Sequence, residues 1–267
     1  MPTLSTTFFF KFIALTVITV DLLYFGLVNH LQNNVSLNSE TNVIKYHGKI
    51  NFDNYEALIN AYNNAEIKPK WINIRSTGGS MIAGIQIGRF IHKNKLNIYV
   101  NNYCMSSCAN YVFVAAKKKR LSPHALVVYH GGVLQANAED NYETFRNYRN
   151  KKQVGIAGKE SSVKRGDPRI KKYFKCSNKE TCFDEMRTMA LDFYAQLGVD
   201  PYITTYGQQG HFLETYHSYK YDGFYYDIET MKSMGVSNIK VKGGSWTPEK
   251  NKHFGRFYKA DITESNT

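Results

Sequence analysis

The sequence predicts an α/β protein built on a mainly parallel sheet. Between residues 43 and 132, short apolar runs typical of strands alternate with longer segments in which apolar residues recur at helical spacing. Strands that alternate with helices in this way pair in parallel, because each helix returns the chain to the start of the next strand. With 267 residues, 43% of them hydrophobic, the chain can bury one sizeable core.

Four strands and three helices follow from this alternation. The predicted strands share an apolar run bounded by polar residues, and they cover residues 43–50, 71–76, 96–102 and 125–132. The predicted helices cover residues 51–66, 80–95 and 109–118. Asn51 or Asp53 is the expected cap of the first helix, and Pro69 follows its end. Gly84 and Gly88 allow close packing of the second helix, and the third is apolar enough to be buried.

This rhythm is interrupted over residues 135–180. Residues 145–175 contain eleven Lys or Arg and two acids, Glu160 and Asp167. A basic segment of this length is either a solvated surface insertion or a lid or docking arm for an anionic partner. The helical pattern resumes over residues 182–198.

The C-terminal part carries one more clear helix signal. A Tyr-rich stretch over residues 216–226 precedes a predicted helix over residues 227–235. Asp227 is its expected cap and Gly235 its expected end. The last segment, residues 243–267, is polar and predicts an irregular tail.

The N-terminus differs in composition from the rest of the chain. Residues 8–28 are nearly all apolar, interrupted by Lys11 and Asp21. Because a bilayer core needs roughly 20 apolar residues, this segment is a marginal span. We interpret residues 1–29 as a signal anchor or a signal peptide, with a buried helix as the alternative. No small residues suited to cleavage follow, which favours an anchor. The positive charges of Lys11 and the amino terminus predict a cytoplasmic N-terminus with the body outside. Polar residues 30–42 then predict a linker.

The balance of charge is strongly basic, with a formal net charge of +12 and a pI of about 9.3. Such a surplus either keeps the protein soluble or attracts an anionic partner. No motif of a nucleic-acid-binding module is present, so no specific nucleic-acid partner is predicted.

The four cysteines fall into two close pairs. Cys176 and Cys182 bracket a polar segment, and in an oxidising compartment this spacing predicts a disulfide. Cys104 and Cys108 are either paired or two small buried side chains, and the sequence leaves both readings open. The spacing does not suit zinc, and no metal or cofactor is predicted.

Three strand-to-helix corners carry residues suited to catalysis. Gly78 and Gly79 follow one predicted strand, Ser106 and Ser107 follow the next, and His130 lies at the end of a third. In parallel sheets, ligands bind beyond the carboxyl ends of the strands. The three corners are therefore expected to meet at one site.

These corners resemble motifs of the ClpP/crotonase superfamily, and more narrowly of exported, Clp-protease-like bacterial proteins. The matching stretches are "STGGSMIAG", "CMSSCA", "YHGG" and "FYYDIETMKSMGV", in that order. The resemblance covers residues 43–132 and 182–240. It implies a fold of repeated β-β-α units over residues 43–242, a polypeptide substrate, and an inner-membrane-anchored or periplasmic location. Family members often form rings, so a homo-oligomer is an open expectation.

The resemblance also assigns roles to individual residues. Ser107 is the expected nucleophile, and His130, 23 positions later, is the expected base. An imidazole suits this role because its usual pKa lies near neutral pH. The N–H groups of Gly79 and Cys108 are the expected oxyanion donors. The residues assigned to substrate binding are the small ones that flank these groups, Gly78, Ser80, Gly131 and Gly132.

The orienting acid is where the chain departs from the family pattern. The position that matches the family's acid falls on Gly223, and Asp222 lies beside it. Either Asp222 fills the role with a one-residue shift, or the base works in a dyad, or the chain is an inactive relative. Loss of a triad acid lowers the rate by about 10,000-fold, so the three alternatives differ greatly in expected activity.

The sequence thus predicts an exported or membrane-anchored serine hydrolase, specifically a peptidase. The main alternative is a catalytically inactive binding or scaffold protein that docks through its basic insertion. A crotonase-like acyl-thioester enzyme is a third option. A lysine base is disfavoured because Lys117–Lys119 lie far along the chain from Ser107.

Overall fold

The computed structural model describes residues 34–135, 168–173, 179–218 and 220–262. Its strands are β1 (Val35–Asn38), β2 (Val43–His47), β3 (Trp71–Ser76), β4 (Asn97–Met105), β5 (Lys119–Leu121), β6 (Leu126–Val128), β7 (Gly223–Tyr225), β8 (Ile239–Val241) and β9 (Phe257–Lys259). Its α-helices are α1 (Phe52–Asn63), α2 (Met81–Lys93), α3 (Lys179–Leu197), α4 (Phe212–His217) and α5 (Ile228–Ser233). A π-helix covers Cys108–Phe113, and 3-10 turns cover Pro168–Tyr173, Pro201–Thr204, Tyr206–Gln208 and Pro248–Lys250.

The main sheet confirms the predicted α/β class and the mainly parallel pairing. Its order is β1-β2-β3-β4-β5-β8, and every pair along it is parallel except β1 with β2. β4 is the longest strand and is paired on one side by two short strands in succession. Ile98–Val100 pair with β5, and Tyr103–Met105 pair with β6. β7 and β9 form a separate parallel pair.

Several predicted elements are confirmed at their expected places. The strand over 71–76 is observed with the predicted bounds, and Asn51 caps α1 by accepting the Asn54 N–H at 2.8 Å. Asp227 caps α5 by accepting the Thr230 N–H at 2.8 Å. Burial alone would raise the pKa of Asp227, but its bonds to Lys259 and Thr230 lower it to about 2.

Other elements differ from the sequence-based expectation. Residues 35–38, which the sequence predicts as part of a linker, form β1 at the sheet edge. β9 lies within the segment predicted as an irregular tail and pairs with β7. Both strands have only three or four residues, so their apolar side chains form too short a pattern to predict a strand, and their pairing with β2 and β7 fixes them.

Close packing joins α2 to the π-helix. A Cβ added at Gly88 would lie 2.4 Å from the Tyr111 carbonyl oxygen and 2.7 Å from the Phe193 ring. All six residues of the π-helix are buried. The small residues predicted for α2 therefore let the helix that follows Ser107 lie directly against it.

Some predictions fall outside the described residues. These are the N-terminal anchor or signal peptide, most of the basic insertion, and Cys176. Within the described ranges, no helix combines the length and the apolar character needed to cross a membrane.

Lys119 is the buried lysine at the start of β5. It is 3% exposed, and its Nζ donates to the Ala116 carbonyl at 2.7 Å and the Ser237 carbonyl at 3.1 Å. It pairs with Ile98, whereas Ser107 follows the far end of β4 at Met105. Counted on β3, where Ile72 pairs with Ile98 and Ser76 with Cys104, that separation is about 16 Å along the strand. Lys119 is therefore no candidate base for Ser107, in agreement with the sequence-based expectation.

Burial of Lys119 predicts a pH-dependent stability. Desolvation lowers its pKa from 10.5 to about 8 in the folded state. Between these values the unfolded chain binds the proton more tightly, so the free energy of unfolding should rise with pH, by up to roughly 3 kcal/mol. Lys119→Met should remove this rise, as measured by urea denaturation from pH 7 to pH 10.5. The exposed neighbour Lys118→Met is the control, and a wild-type slope retained in Lys119→Met would contradict the prediction.

Candidate active site

The first two predicted corners are in direct contact. Gly78 follows β3 with φ +90°, and a Cβ added there would lie 2.5 Å from the Ser106 Cβ and 2.9 Å from the Ser107 nitrogen. Only glycine combines this backbone conformation with so close an approach. The glycine corner thus packs against the serine corner as the sequence predicts.

The third corner lies on the other side of the serine corner. Met105 pairs with Val128 in the parallel register of β4 and β6, and the Ser106 N–H donates to the Val128 carbonyl at 2.9 Å. Ser107 and His130 are each two residues beyond this register pair. They therefore leave the same edge of the sheet from adjacent strands, and His130 is half-buried there.

The backbone turns sharply immediately before the predicted nucleophile. Ser106 has φ +56°, in the left-handed region that non-glycine residues seldom adopt. Ser107 then begins the helical turn with φ −55°. In the nucleophile elbow of other hydrolases the nucleophilic serine itself occupies the strained turn, whereas here the left-handed residue is Ser106, directly before the predicted nucleophile. Backbone strain of this kind is a basis for a functional hypothesis.

A disulfide spans this turn. Cys104 and Cys108 are bonded, and both are fully buried. The bond ties the end of β4 to the start of the π-helix, with Met105, Ser106 and Ser107 between the two cysteines. The sequence left the pairing of these cysteines open, and the structure decides it. Cys182 is also disulfide-bonded, while its predicted partner lies outside the described residues.

A hydrogen bond to Ile50 fixes the direction of the peptide between Gly78 and Gly79. The Gly78 carbonyl accepts the Ile50 N–H at 2.9 Å. Because a trans peptide directs its N–H opposite to its carbonyl, the Gly79 N–H faces away from Ile50 and toward the side on which β4 lies. A side chain at Gly79 is excluded, since a Cβ there would be 2.3 Å from the Ile50 carbonyl oxygen.

Cys108 offers the second predicted donor. The Asn110 N–H donates to the Ser106 carbonyl at 2.8 Å, which is the first bond of the helical ladder. The Cys108 N–H lies before that bond, among the helix N-terminal donors that have no acceptor within the helix. These donors and the positive end of the helix favour negative charge at this point.

The hydroxyl of Ser107 points to the glycine corner. Ser107 is 6% exposed, and its Oγ donates to the Gly79 carbonyl at 2.8 Å. This is not the bond to His130 that the sequence predicts. A catalytic role requires the hydroxyl to rotate from the Gly79 carbonyl toward the imidazole of His130, which follows the adjacent strand.

Asp222 is engaged elsewhere. Its carboxylate receives two bonds from Arg256, at 2.5 Å and 3.1 Å, on an exposed part of the surface. The antiparallel bridge between Tyr129 and Phe224 instead sets Gly223 opposite His130, and a Cβ added at Gly223 would lie 3.4 Å from the His130 Cβ. The residue at the family's acid position therefore faces His130 but carries no carboxylate.

We accordingly expect Asp222→Asn to change catalysis little. The exchange should lower kcat/KM by less than about 3-fold and leave its pH dependence unchanged, because the carboxylate is paired with Arg256. An exposed ion pair contributes at most about 1 kcal/mol, so stability should also change little. Arg256→Gln is the matched control. A loss near 10,000-fold in Asp222→Asn would instead identify Asp222 as the orienting acid.

The residues assigned to substrate binding lie around the same corners. Ser80 caps α2 by accepting the Ala83 N–H at 3.3 Å, and Gly131 and Gly132 follow His130 directly. Asn110 was not predicted for the site. Its Nδ2 donates to the Gly131 carbonyl at 3.0 Å and so joins the nucleophile helix to the His130 segment. The sequence signal that could have identified Asn110 is that it is the one side-chain amide in a mostly apolar predicted helix.

Comparison with known proteins adds no assignment. Neither a protein-family model nor a curated protein matches the chain. In the described part of the chain, no three His, Cys, Asp or Glu residues are grouped to hold a metal.

Proposed function

We propose that this protein is a serine hydrolase, specifically a peptidase of the Clp type. The observation that carries the proposal is the meeting of three strand ends, where Gly78 packs on Ser106 and the register of β4 and β6 brings Ser107 and His130 to one edge. The left-handed turn at Ser106 and the orientation of the Gly79 peptide add to its support.

The residues suggest a familiar sequence of steps. The Ser107 Oγ attacks the substrate carbonyl carbon while the His130 imidazole accepts its proton. The N–H groups of Gly79 and Cys108 stabilise the oxyanion, each contributing on the order of 100-fold or more in rate. His130 returns the proton to the leaving amine, and water then hydrolyses the acyl-enzyme. Asp222 is bound to Arg256 and takes no part in these steps.

A second candidate is a binding or scaffold protein on the same fold. It is favoured by the hydrogen bond from Ser107 to the Gly79 carbonyl and by the absence of a carboxylate at Gly223. In that case the basic segment over residues 145–175 would dock on an anionic partner, and Ser107 would be unreactive.

We also propose a location outside the cytoplasm, by way of the N-terminal apolar segment. The fully buried Cys104–Cys108 disulfide supports this, because such bonds persist mainly in oxidising compartments. Alkylation of the protein in cell extracts without reductant should leave all four cysteines unmodified, and free thiols would contradict export.

A fluorophosphonate probe tests the catalytic proposal directly. We expect the full-length protein to be labelled, with the adduct mapped by mass spectrometry to Ser107. His130→Ala should slow labelling by at least about 100-fold, because general-base catalysis contributes that much. Labelling at another residue would refute the nucleophile, equal labelling of His130→Ala would refute the base, and no labelling would favour the scaffold alternative.

A further inference from the structure

A cluster of side-chain amides lies beside the proposed catalytic residues. It consists of Asn110, one helical turn after Ser107, and of Gln208 and Gln135, which both approach Gly131, directly after His130. A Cβ added at Gly131 would lie 2.7 Å from the Gln208 Oε1 and 2.1 Å from the Gln135 Oε1. We call these three residues the amide cluster.

Three buried polar atoms of the amide cluster have no hydrogen-bond partner among the described residues. They are the Asn110 Oδ1 and both amide atoms of Gln208. Asn110 is 3% exposed and Gln208 is 6% exposed. Buried polar atoms without partners are rare, because burial removes their bonds to water without replacing them. Both side chains lie against Gly131, so a single group bound beside Gly131 would complete their hydrogen bonds.

The unpaired atoms do not result from a loosely held turn. The Gln208 N–H donates to the Thr205 carbonyl at 2.8 Å, and the Tyr258 hydroxyl donates to the Gly207 carbonyl. The Tyr226 hydroxyl donates to the Ile203 carbonyl at 2.8 Å. The backbone of residues 201–208 is thus fixed to the core while the Gln208 side chain is left unsatisfied.

The chemistry of the three atoms requires a ligand that both donates and accepts hydrogen bonds. The Asn110 Oδ1 and the Gln208 Oε1 accept, and the Gln208 Nε2 donates. A primary carboxamide supplies two N–H donors and one carbonyl acceptor, which is the full complement. A carboxylate has no donor for the two acceptors, and an ammonium has no acceptor for the Gln208 Nε2.

Gly132 is a partly exposed residue beside the amide cluster. A Cβ added there would be 3.6 Å from both the Asn110 Nδ2 and the Thr204 Oγ1, at ordinary contact distance. A side chain entering beside Gly132 would therefore approach the cluster from the edge where Ser107 and His130 emerge.

We propose that the amide cluster is a specificity site that receives the carboxamide side chain of a substrate glutamine or asparagine. This inference rests on the proposed peptidase function for its position relative to the scissile bond. The inference that the amide cluster binds a peptide carboxamide depends only on the unpaired atoms and not on the peptidase function.

The experiment compares peptides that differ at one side chain. Fluorogenic peptide amides carrying Gln, Met or Glu before the scissile bond would be assayed for kcat/KM, and the uncleavable Ser107→Ala variant would be titrated with the same peptides by fluorescence polarisation. Gln should exceed the similarly sized Met by at least about 10-fold in both measurements, because a site built for hydrogen bonds rejects an analogue that lacks them. Glu should bind less well than Gln.

Two variants separate the amide cluster from its surroundings. Gln208→Met should reduce the preference for Gln over Met to less than about 2-fold. Gln209→Met should retain it, because the Gln209 Nε2 is already bonded to the Thr205 Oγ1 at 3.1 Å. Melting temperatures of both variants establish that they are folded.

The outcomes distinguish this inference from the function on which it rests. Three results would overturn the specificity site and leave a buried water as the occupant. They are equal kcat/KM and affinity for the Gln and Met peptides, a preference for Gln that persists in Gln208→Met, and no binding of any peptide by Ser107→Ala at millimolar concentration. Retained binding preference without turnover or fluorophosphonate labelling would instead refute the peptidase and support the carboxamide site.

Discussion

Gly78→Ala is expected to destabilise the fold by at least about 3 kcal/mol and to abolish hydrolysis. The new Cβ would meet the Ser106 Cβ at 2.5 Å and the Met105 carbonyl oxygen at 2.7 Å, and the φ of +90° would add strain. Neither neighbour can yield easily, because the Cys104–Cys108 disulfide holds the turn from both sides. The two corners would therefore separate, and the oxyanion donors with them.

Gly243→Ala is the matched control for this prediction. Gly243 has a similar φ of +82°, and no atom lies within 4 Å of an added Cβ. Its substitution should cost about 1 kcal/mol, from backbone strain alone, and leave activity unchanged. Urea denaturation and ester hydrolysis measure both effects. Equal destabilisation by the two substitutions would show that the contact between the corners contributes nothing.

Ser107→Ala is expected to lower kcat/KM for an activated ester by at least about 10,000-fold. The exchange removes the proposed nucleophile and the 2.8 Å bond to the Gly79 carbonyl, so stability should fall by only about 1 kcal/mol. A catalytic loss this large with so small a loss of stability separates a chemical role from a structural one.

Ser106→Ala provides the comparison. It retains the Cβ that packs on Gly78 and removes a hydroxyl to which the mechanism assigns no step. We expect its kcat/KM to fall by less than about 10-fold. A severe loss in Ser106→Ala together with an active Ser107→Ala would exchange the roles of the two serines.

Much of the scaffold could be predicted from local sequence alone. The strand "WINIRS" and the caps at Asn51 and Asp227 depend on residues within a few positions, and all three are confirmed. The contact of the glycine and serine corners was also predictable, because the parallel pairing of neighbouring strands brings their carboxyl ends together.

The parts that the sequence missed depend on distant partners. β5 contains only three residues and starts with the buried Lys119. A lysine argues against a core strand in the sequence, but here the carbonyls of Ala116 and Ser237 accept hydrogen bonds from its Nζ. β9 is recognisable only through its pairing with β7. In the sequence Asp222 is a suitable triad acid, but in the structure it is bound to Arg256, 34 positions away.

The sequence by itself determined the α/β class, the mainly parallel sheet and the order in which glycines, serines and a histidine follow its strands, because these depend on periodicity and on local turn chemistry. The tertiary structure alone decided the Cys104–Cys108 bond, the engagement of Asp222, and the lack of a partner for the Asn110 Oδ1 and the Gln208 amide. Hydrogen-bond satisfaction and covalent pairing are properties of neighbours in space, and residues 110 and 208 become neighbours only when the sheet and its surrounding turns have assembled.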